Sequence, residues 1–481
     1  MPLEGTTASG PELLIELQPA RGRPLRAQLE EGLREAVRSG RLLAGSPLPS
    51  SRALARDLGV SRRLVVDAYS QLVAEGYLVS RQGSGTFVAE TAAAAPAPVP
   101  APEPRPPRYD FFPGSPDLSA FPRAAWARAV RDVLREAPDH ALSYGDPRGT
   151  PALRTALAGY LARARGVVAQ PERMVITGGA VQALALLARV LTERGMPRIA
   201  VEDPSLPEHR AVLARHGADV VPVPVDDEGV RVDALQRTHA GAIVVTAAHQ
   251  MPLGVALSVD RRAALLSWGG LVIEDDYDAE FRYDRAPLAA LQGLAPEQVA
   301  YLGSASKTLA PGLRLGWLVL PADLIDAVAA EKRLTDMGND VIGQLAFARL
   351  ITSGAYDRHL RVLRRRHRDR RDAAVAAIAR HLPDAQVLGI AAGLHANILL
   401  AEPIDVRAFE AACEARSVRV YGSRRRMIAL GYANVPEPTI EEGVRLLAEA
   451  VSDARQTTRQ THRSPSGASH PRGPQASGLP A

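Results

Sequence analysis

Residues 301–321 read YLGSASKTLAPGLRLGWLVLP, and this stretch decides how most of the chain folds. It contains the end of one apolar strand pattern, a polar turn around Lys307 and a second apolar strand pattern. Apolar segments of strand length lie at residues 174–177, 198–203, 242–247, 271–276, 299–304 and 315–320. Helical patterns separate several of them, so the sequence predicts an α/β fold with a largely parallel sheet.

Lysine is almost absent from the chain. Of 58 basic residues only Lys307 and Lys332 are lysines, and the other 56 are arginines. Arginine is effectively never deprotonated, whereas a lysine amine can lose its proton and attack a carbonyl. Lys307 is therefore a candidate for chemistry that arginine cannot perform. Lys332 lies in an amphipathic EKRL stretch without hydroxyl neighbours, and we expect it on the surface.

The surroundings of Lys307 suit an anionic ligand. Ser304 and Ser306 supply hydroxyls and Arg314 supplies a guanidinium, which are groups that bind phosphate. The turn Gly178-Gly179-Ala180 leads into a helical pattern and adds backbone N–H groups at a helix N-terminus. Because ligands gather at the carboxyl ends of parallel strands, we expect these groups to meet in the fold.

Asp275 and Tyr277 add the remaining groups of a cofactor pocket. Asp275 follows an apolar strand pattern, and Tyr277 comes two residues later. A carboxylate can keep a pyridine nitrogen protonated, and a phenol can hydrogen-bond a ring hydroxyl. Together with an amine and a phosphate site, these groups predict a pocket for pyridoxal 5'-phosphate. Each residue alone also fits an ordinary loop or surface role, so the prediction depends on their combination.

Residues 11–88 show the pattern of a winged helix-turn-helix, which is an α+β module. Three helical patterns end at glycines, and a strand–turn–strand pattern follows them. Ser61, Arg62 and Arg63 open the third helix, whose first turn fits base edges and phosphates in the DNA major groove. For the two arginines alone, a solvated helix face is an equal alternative.

The predicted hairpin, YLVSRQGSGTFV at residues 77–88, offers a second contact with DNA. Its tip contains Ser84, Gly85 and Thr86, and glycine allows the backbone to approach phosphate or the minor groove closely.

Positive charge is concentrated in this module. Residues 20–88 contain eleven arginines and six acidic residues, an excess of five that equals the formal net charge of the whole chain, +5. A basic module beside a near-neutral larger one predicts a polyanionic partner.

Two stretches lack the apolar residues that a core needs. Residues 89–108, rich in Ala and Pro, predict an extended linker. Residues 453–481, rich in Ser, Gly, Pro and Gln, predict a disordered tail. The large α/β domain is therefore expected at residues 109–452.

Composition excludes several classes of protein. With 46% hydrophobic and 23% charged residues the chain is globular, and no apolar run approaches the ~18–20 residues of a membrane span. The N-terminus has no basic start followed by an apolar stretch, so we expect no secretory signal and a cytoplasmic location. Cys413 is the only cysteine, which excludes an intrachain disulfide.

Residues 25–88, and LPSSRALARDLGVSRRLVVDAYSQLVAEGYLVSRQGSGTFV in particular, resemble the winged helix-turn-helix of GntR-type bacterial transcription regulators. The resemblance implies double-stranded operator DNA as the partner. It also implies that Arg52, Ser61, Arg62 and the glycines of the wing contact DNA. Leu64 stands where the family commonly has Thr, and we expect this departure to alter one contact.

The larger part of the chain is similar to a more specific family. The motifs YGDPRGTPALRTALAGYLARARGV, VEDPSLPEHR, HQMPLGVALSVDRRAALLSW, VIEDDYDAEFRYDRAPLAALQG and YLGSASKTLAPGLRLGWLVLP resemble the fold-type I aminotransferase domain of MocR/GabR-type regulators. That family joins a GntR-type head to an aminotransferase-like body through a linker. The resemblance implies a head-to-tail homodimer with the cofactor pocket between subunits.

The resemblance also implies roles for single residues. Lys307 would be the Schiff-base lysine for pyridoxal 5'-phosphate, Asp275 the partner of the pyridine nitrogen and Tyr277 the partner of the ring hydroxyl. Arg314, with Ser304 or Ser306, would hold the phosphate.

The departures from this family concern the effector, which we expect to be a small amino compound. Leu206 stands where relatives usually have an aromatic that stacks on the cofactor ring. Glu208 stands where relatives that sense 4-aminobutyrate carry a basic residue, which argues against that effector. Arg425 resembles the arginine that pairs with a substrate carboxylate, with Arg424 and Arg426 as rivals.

Two functions fit these observations. The first is a PLP-dependent, DNA-binding transcription regulator whose body senses an amino compound or PLP itself. The alternative is a catalytically active PLP-dependent aminotransferase, because all the cofactor residues are present. The sequence predicts no metal site.

Overall fold

The structure is a computed structural model that describes residues 17–18, 23–90, 106–283, 288–424 and 426–463, with the side chains of 422–424 and 457–463 excepted. The chain divides into two compact units, a head (Met1–Arg105) and a body (Pro106–Ala481). Most of the predicted linker, residues 91–105, lies outside the described residues, as does the predicted start of the head at residues 11–16.

The head is a winged helix-turn-helix, so this prediction is confirmed. Its elements are α1 (Leu25–Arg38), α2 (Ser51–Asp57), α3 (Arg62–Ala74), β1 (Leu78–Arg81) and β2 (Gly85–Val88). Ser50 caps α2 and Ser61 caps α3, because each hydroxyl accepts a hydrogen bond from the backbone N–H three residues later, at 3.2 Å. The strands pair antiparallel, with Leu78 opposite Val88.

One apolar cluster holds the head together. Leu29 and Leu33 of α1 and Val65 and Leu72 of α3 are buried in it, at helical spacing on each helix. The stripe on α3 turns inward, and the first turn of that helix is left at the surface.

The body is built around an eight-stranded sheet whose order is β4-β11-β10-β9-β8-β5-β6-β7. Its strands are β4 (Met174–Thr177), β5 (Arg198–Asp203), β6 (Asp219–Asp226), β7 (Gly229–Val230), β8 (Ala242–Val245), β9 (Leu271–Asp276), β10 (Val299–Ser304) and β11 (Gly316–Val319). The pairs in the centre are parallel, and β11 and β7 run antiparallel to their neighbours. The predicted α/β class is therefore confirmed.

All six predicted strands are present, and four of them have the predicted bounds. The sheet also contains β6, which the apolar pattern did not indicate because Pro222 and Pro224 interrupt it. Proline lacks the N–H that a central strand needs, and it is tolerated here near the edge of the sheet.

Helices cover the large sheet and lead into the smaller ones. They are α4 (Arg123–Glu136), α5 (Pro151–Arg165), α6 (Ala180–Glu193), α7 (Pro207–Arg215), α8 (Val232–Gln236), α9 (Val259–Ser267), α10 (Ile325–Asp336), α11 (Val341–Thr352) and α12 (Ala355–His381). Within the described ranges, every helix is too short or too polar to cross a bilayer.

The last part of the body forms a second, four-stranded sheet in the order β12-β13-β16-β15. The strands of this sheet are β12 (Gln386–Leu388), β13 (His395–Leu399), β15 (Tyr421–Arg424) and β16 (Met427–Gly431), and the same part of the chain contains the helices α13 (Val406–Ala415) and α14 (Glu437–Arg463). Two further short strands, β3 (Tyr109–Asp110) and β14 (Val418–Arg419), form a separate parallel pair. The tail predicted from residue 453 is corrected at its start: α14 continues through it to Arg463, and Ala454 is fully buried.

A buried ion pair ties α5 to the end of β9. Arg165 donates two hydrogen bonds to Asp276, at 2.7 and 3.1 Å, and the two side chains are 1% and 2% exposed. The Tyr301 hydroxyl donates to the same carboxylate at 2.7 Å. A buried charge without its partner destabilises a fold strongly.

We predict that Arg165→Met lowers the free energy of unfolding by about 3–5 kcal/mol, because Asp276 would remain buried without a counter-charge. Urea denaturation at neutral pH measures this change. Arg198→Met is the control, since its pair with Asp219 is half-exposed and should cost only about 0–1 kcal/mol. Equal losses in both variants would contradict the prediction.

Candidate functional site

The ends of three neighbouring strands bring the predicted phosphate-binding residues together. In the register of the sheet, Ser304 of β10 lies opposite Gly316 of β11, and Gly316 lies opposite Thr177 of β4. The chain leaves β4 at Thr177 and enters α6 through Gly179, which has a φ of 110°. Only glycine adopts this backbone conformation without strain.

Arg314 faces this turn. It has a left-handed backbone conformation, with φ 52°, and its guanidinium nitrogens lie 3.3 and 3.4 Å from the point where a Cβ on Gly179 would stand. A Cβ on Gly316 would lie 2.7 Å from the Gly179 Cα, so the backbones are packed directly together. The guanidinium thus lies beside the N-terminus of α6, whose first turn begins at Ala180 and has N–H groups without intrahelical acceptors.

The two serines before Lys307 bind each other in this structure. Ser304 Oγ donates to Ser306 Oγ at 2.8 Å and accepts from the Ser306 N–H at 3.0 Å. Both residues are partly exposed, Ser304 at the end of β10 and Ser306 in the turn that follows it.

Lys307 lies in the turn after β10. Its Nζ donates to the Gly114 carbonyl oxygen at 2.6 Å. Burial lowers the pKa of this amine, and the nearby Asp278 and Asp275 carboxylates oppose that shift. A lowered pKa favours the neutral amine, which is the form that attacks a carbonyl.

Asp275 lies on β9, the strand next to β10, and is buried. Its Oδ2 is 3.4 Å from His209 Nε2, whereas no described residue is within hydrogen-bonding distance of its Oδ1. Burial, reinforced by the Asp276 and Asp278 charges, raises the pKa of Asp275 to about 7. A buried carboxylate oxygen without a partner is costly, and it is suited to a donor from a ligand.

Tyr277 is supported by a histidine that sequence reasoning missed. Its hydroxyl oxygen is 3.2 Å from His249 Nδ1, and that nitrogen is 2.8 Å from Asp278 Oδ2. Burial raises the pKa of the Tyr277 hydroxyl well above its usual value. The phenol is therefore protonated and held in one place by a buried polar pair.

His395 on β13 completes this polar group. Its ring centroid is 5.0 Å from that of His249, and neither ring nitrogen has a partner among the described residues. Burial lowers the pKa of His395 far below its usual value, with His249 and Lys307 adding to the effect. His249 opens the HQMPLG motif and Asp278 follows Tyr277, so their positions were visible in the sequence, but their contact with β13 was not.

The same group offers the ligand types of a metal site, which the sequence did not predict. Among the described residues, His249, Asp278 and His395 form one set whose ligand atoms lie within 4.8 Å of one another. Because His249 and Asp278 already bind each other, we interpret the set as a support for Tyr277.

The residues predicted to meet the effector are only partly described. Leu206 precedes α7 and is half-buried, and it lines a small cavity with Glu202, His209 and Met251. Arg425 lies outside the described residues. Its rival Arg426 donates to the carbonyl oxygens of Leu400 and Ala401, at 3.1 and 2.9 Å.

The predicted DNA-contact residues of the head lie at its surface. Arg62 and Arg63 are exposed on the first turn of α3, and Arg52 is exposed on α2. Ser61 is exposed, and its hydroxyl caps α3 by accepting a hydrogen bond from the Leu64 N–H. At the tip of the hairpin Ser84 and Gly85 are exposed, and Thr86 is partly exposed.

The expected surface position of Lys332 is wrong. The residue lies on α10 with its side chain fully buried, and its Nζ is 2.8 Å from Asp336 Oδ2. The amphipathic pattern of its neighbours did not reveal this burial, because a local pattern does not show how deeply a helix is packed within the fold.

Comparison with known proteins agrees with both units. Residues 114–442 match the family model "Aminotransferase class I and II", and residues 25–88 match "Bacterial regulatory proteins, gntR family". Among solved structures, the multiple substrate aminotransferase from Thermococcus profundus has a TM-score of 0.67 and 27% sequence identity, covering 74% of this chain and 93% of that one.

Two relatives match over both units. The HTH-type pyridoxine biosynthesis transcriptional regulator PdxR of Corynebacterium glutamicum is 35% identical, covering 82% of this chain and 87% of that protein. The probable rhizopine catabolism regulatory protein MocR of Rhizobium meliloti is 34% identical, covering 89% of this chain and 94% of that protein.

A winged helix-turn-helix joined to a fold-type I aminotransferase body defines a class of HTH-type transcription regulators. This chain belongs to that class, in the MocR-type subfamily of the GntR family.

We predict that Asp275→Asn changes the pH dependence of stability in the cofactor-free protein. An unfolded Asp titrates near pH ~3.9, whereas Asp275 in the fold has a pKa of about 7. Between these values the folded state binds more protons, so stability falls as pH rises, by at most ~1.4 kcal/mol per pH unit. Asparagine cannot titrate, and the variant should lose this contribution.

Urea denaturation of both proteins at pH 4.5 and pH 8 measures the effect. We expect the free energy of unfolding of wild type to fall from pH 4.5 to pH 8 by more than that of Asp275→Asn, so that the difference between them shifts in favour of the variant at pH 8. Parallel profiles for the two proteins would contradict the assignment of a raised pKa to Asp275.

Proposed function

We propose that this chain is a transcription regulator that binds pyridoxal 5'-phosphate in its body and operator DNA with its head. The observation that carries the proposal is the set of groups at the end of the large sheet. A partly buried amine at Lys307, an unpartnered carboxylate oxygen at Asp275 and a guanidinium at Arg314 lie around one region.

The residues present fit that cofactor. Asp275 Oδ1 is buried and lacks a donor, as a partner for a protonated pyridine nitrogen requires. Arg314 faces the glycine turn at the start of α6, where a phosphate would meet both a cation and free N–H groups. A side chain at Gly179 would occupy this space, because its Cβ would stand 3.3 Å from the Arg314 guanidinium.

Pyridoxal 5'-phosphate supplies an aldehyde for attachment to an amine and a ring that withdraws electrons. Lys307 provides the amine, and burial keeps a fraction of it neutral. Asp275 provides the charge that keeps a proton on the ring nitrogen. Tyr277, held near His249 at 3.2 Å, provides a hydroxyl to orient the ring oxygen. Ser304 or Ser306 adds a hydroxyl for the phosphate.

The head provides the contact with DNA. Arg62 and Arg63 on the exposed first turn of α3 would enter the major groove, and the wing around Gly85 would approach the backbone. Arg52, Ser61, Ser84 and Thr86 would add contacts at the edges of this surface.

The body would regulate the head through a small amino compound or through the cofactor itself. Either ligand can act only by binding two arrangements of the protein with different affinity. Leu206 and Arg425 stay predicted contacts for this effector. The name of the Corynebacterium relative, a regulator of pyridoxine biosynthesis, supports the version in which the cofactor is the signal.

We include a homodimer in the proposal. Leu142 and Tyr144, which precede α5, are 57% and 84% exposed. The family resemblance implies a homodimer, and exposed apolar side chains of this size are available to such an interface. Two copies of the head would also suit an operator with two half-sites.

Attachment of the cofactor can be tested at a single residue. We predict that wild-type protein soaked in pyridoxal 5'-phosphate gains a visible absorption band and that Lys307→Ala does not. Borohydride reduction followed by peptide mass mapping should place the cofactor on Lys307. The chain has one other lysine, Lys332, so modification there, or colourless wild-type protein, would overturn the proposed cofactor site.

DNA binding can be tested with the region upstream of the gene for this chain. We predict that Arg62→Ala weakens binding to this DNA about ten-fold or more, the cost of about 1–3 kcal/mol that a lost arginine–base contact brings. Arg237→Ala, which removes an exposed arginine from the body, is the matched control for net charge. Fluorescence anisotropy at two salt concentrations measures both.

Random DNA of equal length completes this test. Wild-type protein should prefer its own upstream region, and raised salt should weaken both complexes. Equal affinity for both DNAs in the presence and absence of the cofactor would overturn the proposed role in transcription.

A catalytically active aminotransferase is the second candidate. The match to aminotransferase structures at 27% identity and the complete set of cofactor residues favour it. Steady-state conversion of an amino acid and a keto acid, with Lys307→Ala as the inactive control, distinguishes the two. Turnover without any preference for operator DNA would favour the enzyme.

A further inference from the structure

The second lysine of the chain, Lys332, is buried at a position where an unpaired charge would be costly. Its side chain is 0% exposed, and its Nζ donates to Asp336 Oδ1 and Oδ2 at 3.0 and 2.8 Å. Burial lowers the pKa of Lys332, while the hydrogen bond and charge of Asp336 oppose that shift. Nearly all other basic residues of the chain are arginines. An arginine at position 332 would bring five N–H donors instead of three and would need more acceptors in this buried place.

Asp336 also forms a hydrogen bond with Gln182, which belongs to another helix, α6. Its Oδ2 accepts a hydrogen bond from Gln182 Nε2 at 2.6 Å, and its Oδ1 accepts from the Gly338 N–H at 2.9 Å. A glutamine side chain has a donor end and an acceptor end. Because Asp336 can only accept when ionised, it fixes the donor end of Gln182 toward α10 and the acceptor end toward the start of α6.

The acceptor end of Gln182 holds the glycine turn. Its Oε1 accepts the N–H of Gly178 at 2.6 Å. Gly178 directly precedes Gly179, the residue that faces the Arg314 guanidinium at the N-terminus of α6. Four groups on three segments are therefore linked in series, from the ammonium of Lys332 to the turn of the proposed phosphate site.

We infer that Lys332 is a positioning residue for the cofactor phosphate. It holds Asp336, which orients the Gln182 amide, which in turn holds the Gly178 N–H so that the first turn of α6 and Arg314 face one anion. The inference rests on the proposed binding of pyridoxal 5'-phosphate. Lys332 itself does not touch the ligand.

A second ion pair between the same two helices serves as a comparison. Arg189 of α6 is 2.9 Å from Glu331 of α10, and this pair joins the helices without reaching the glycine turn. Arg189→Met therefore removes a link of the same kind between α6 and α10 but leaves the series from Lys332 to Gly178 intact.

The experiment compares two vitamers that differ only in the phosphate. Cofactor-free full-length protein is titrated with pyridoxal 5'-phosphate and with pyridoxal, and the dissociation constants are read from the visible absorption band. The variants are Lys332→Met, Gln182→Met and the control Arg189→Met. Gln182 is partly exposed, so Gln182→Met keeps the test valid if Lys332→Met does not fold.

We expect Lys332→Met and Gln182→Met to lose about ten-fold in affinity for pyridoxal 5'-phosphate, as for loss of a hydrogen bond to a charged group. Their affinity for pyridoxal should change little. The ratio of the dissociation constant for pyridoxal to that for pyridoxal 5'-phosphate should therefore fall toward one. Arg189→Met should keep the wild-type ratio. Thermal unfolding of each cofactor-free variant separates a loss of stability from a loss of phosphate recognition.

Equal losses for both vitamers, or the same loss in Arg189→Met, would overturn the inference, because the effect would then belong to helix packing alone. Wild-type protein that prefers pyridoxal 5'-phosphate while all variants keep its ratio would overturn the inference and leave the proposed function standing. Wild-type protein that binds neither vitamer would overturn the proposed function, and the inference with it.

Discussion

The body depends on keeping water away from a few charges at one end of its large sheet. Asp275 is buried with one oxygen unpartnered, and Lys307 lies in the turn after the adjacent strand with a lowered pKa. Desolvated groups of this kind reduce the stability of a fold unless another group pairs with them. Such an arrangement is expected where a ligand completes the pairing.

Neighbouring polar residues stabilise this end of the sheet but leave Asp275 Oδ1 without a hydrogen-bond donor among the described residues. His209 stands beside Asp275 and is neutral, because burial lowers its pKa to about 4. His249 Nδ1 and Asp278 Oδ2 pair with each other next to Tyr277, so these two buried polar atoms are satisfied within the protein. These supports come from α7, from the loop after β8 and from the segment after β9, which the parallel strand order brings to one edge.

The two units use arginine in opposite ways. The head leaves Arg62 and Arg63 in solvent, where a cation can meet a polyanion at little cost in desolvation. The body buries Arg165 in a bidentate pair with Asp276, which fixes the strand that carries Asp275. The proposed function uses both, because one unit would present charge to DNA and the other would hold a small ligand in a fixed geometry.

The sequence by itself predicted six strands of the large sheet, the starts of α2 and α3, and the combination of Lys307, Asp275 and Tyr277. Strand length, apolar runs, capping serines and the scarcity of lysine are local features, so they can be read without the fold. Only the tertiary structure decided that Lys332 is buried, that Gln182 links Asp336 to Gly178, and that His395 meets His249. The Gln182–Asp336 and His249–His395 contacts join residues far apart in the chain, and the path of the backbone that brings them together depends on the packing of the whole sheet.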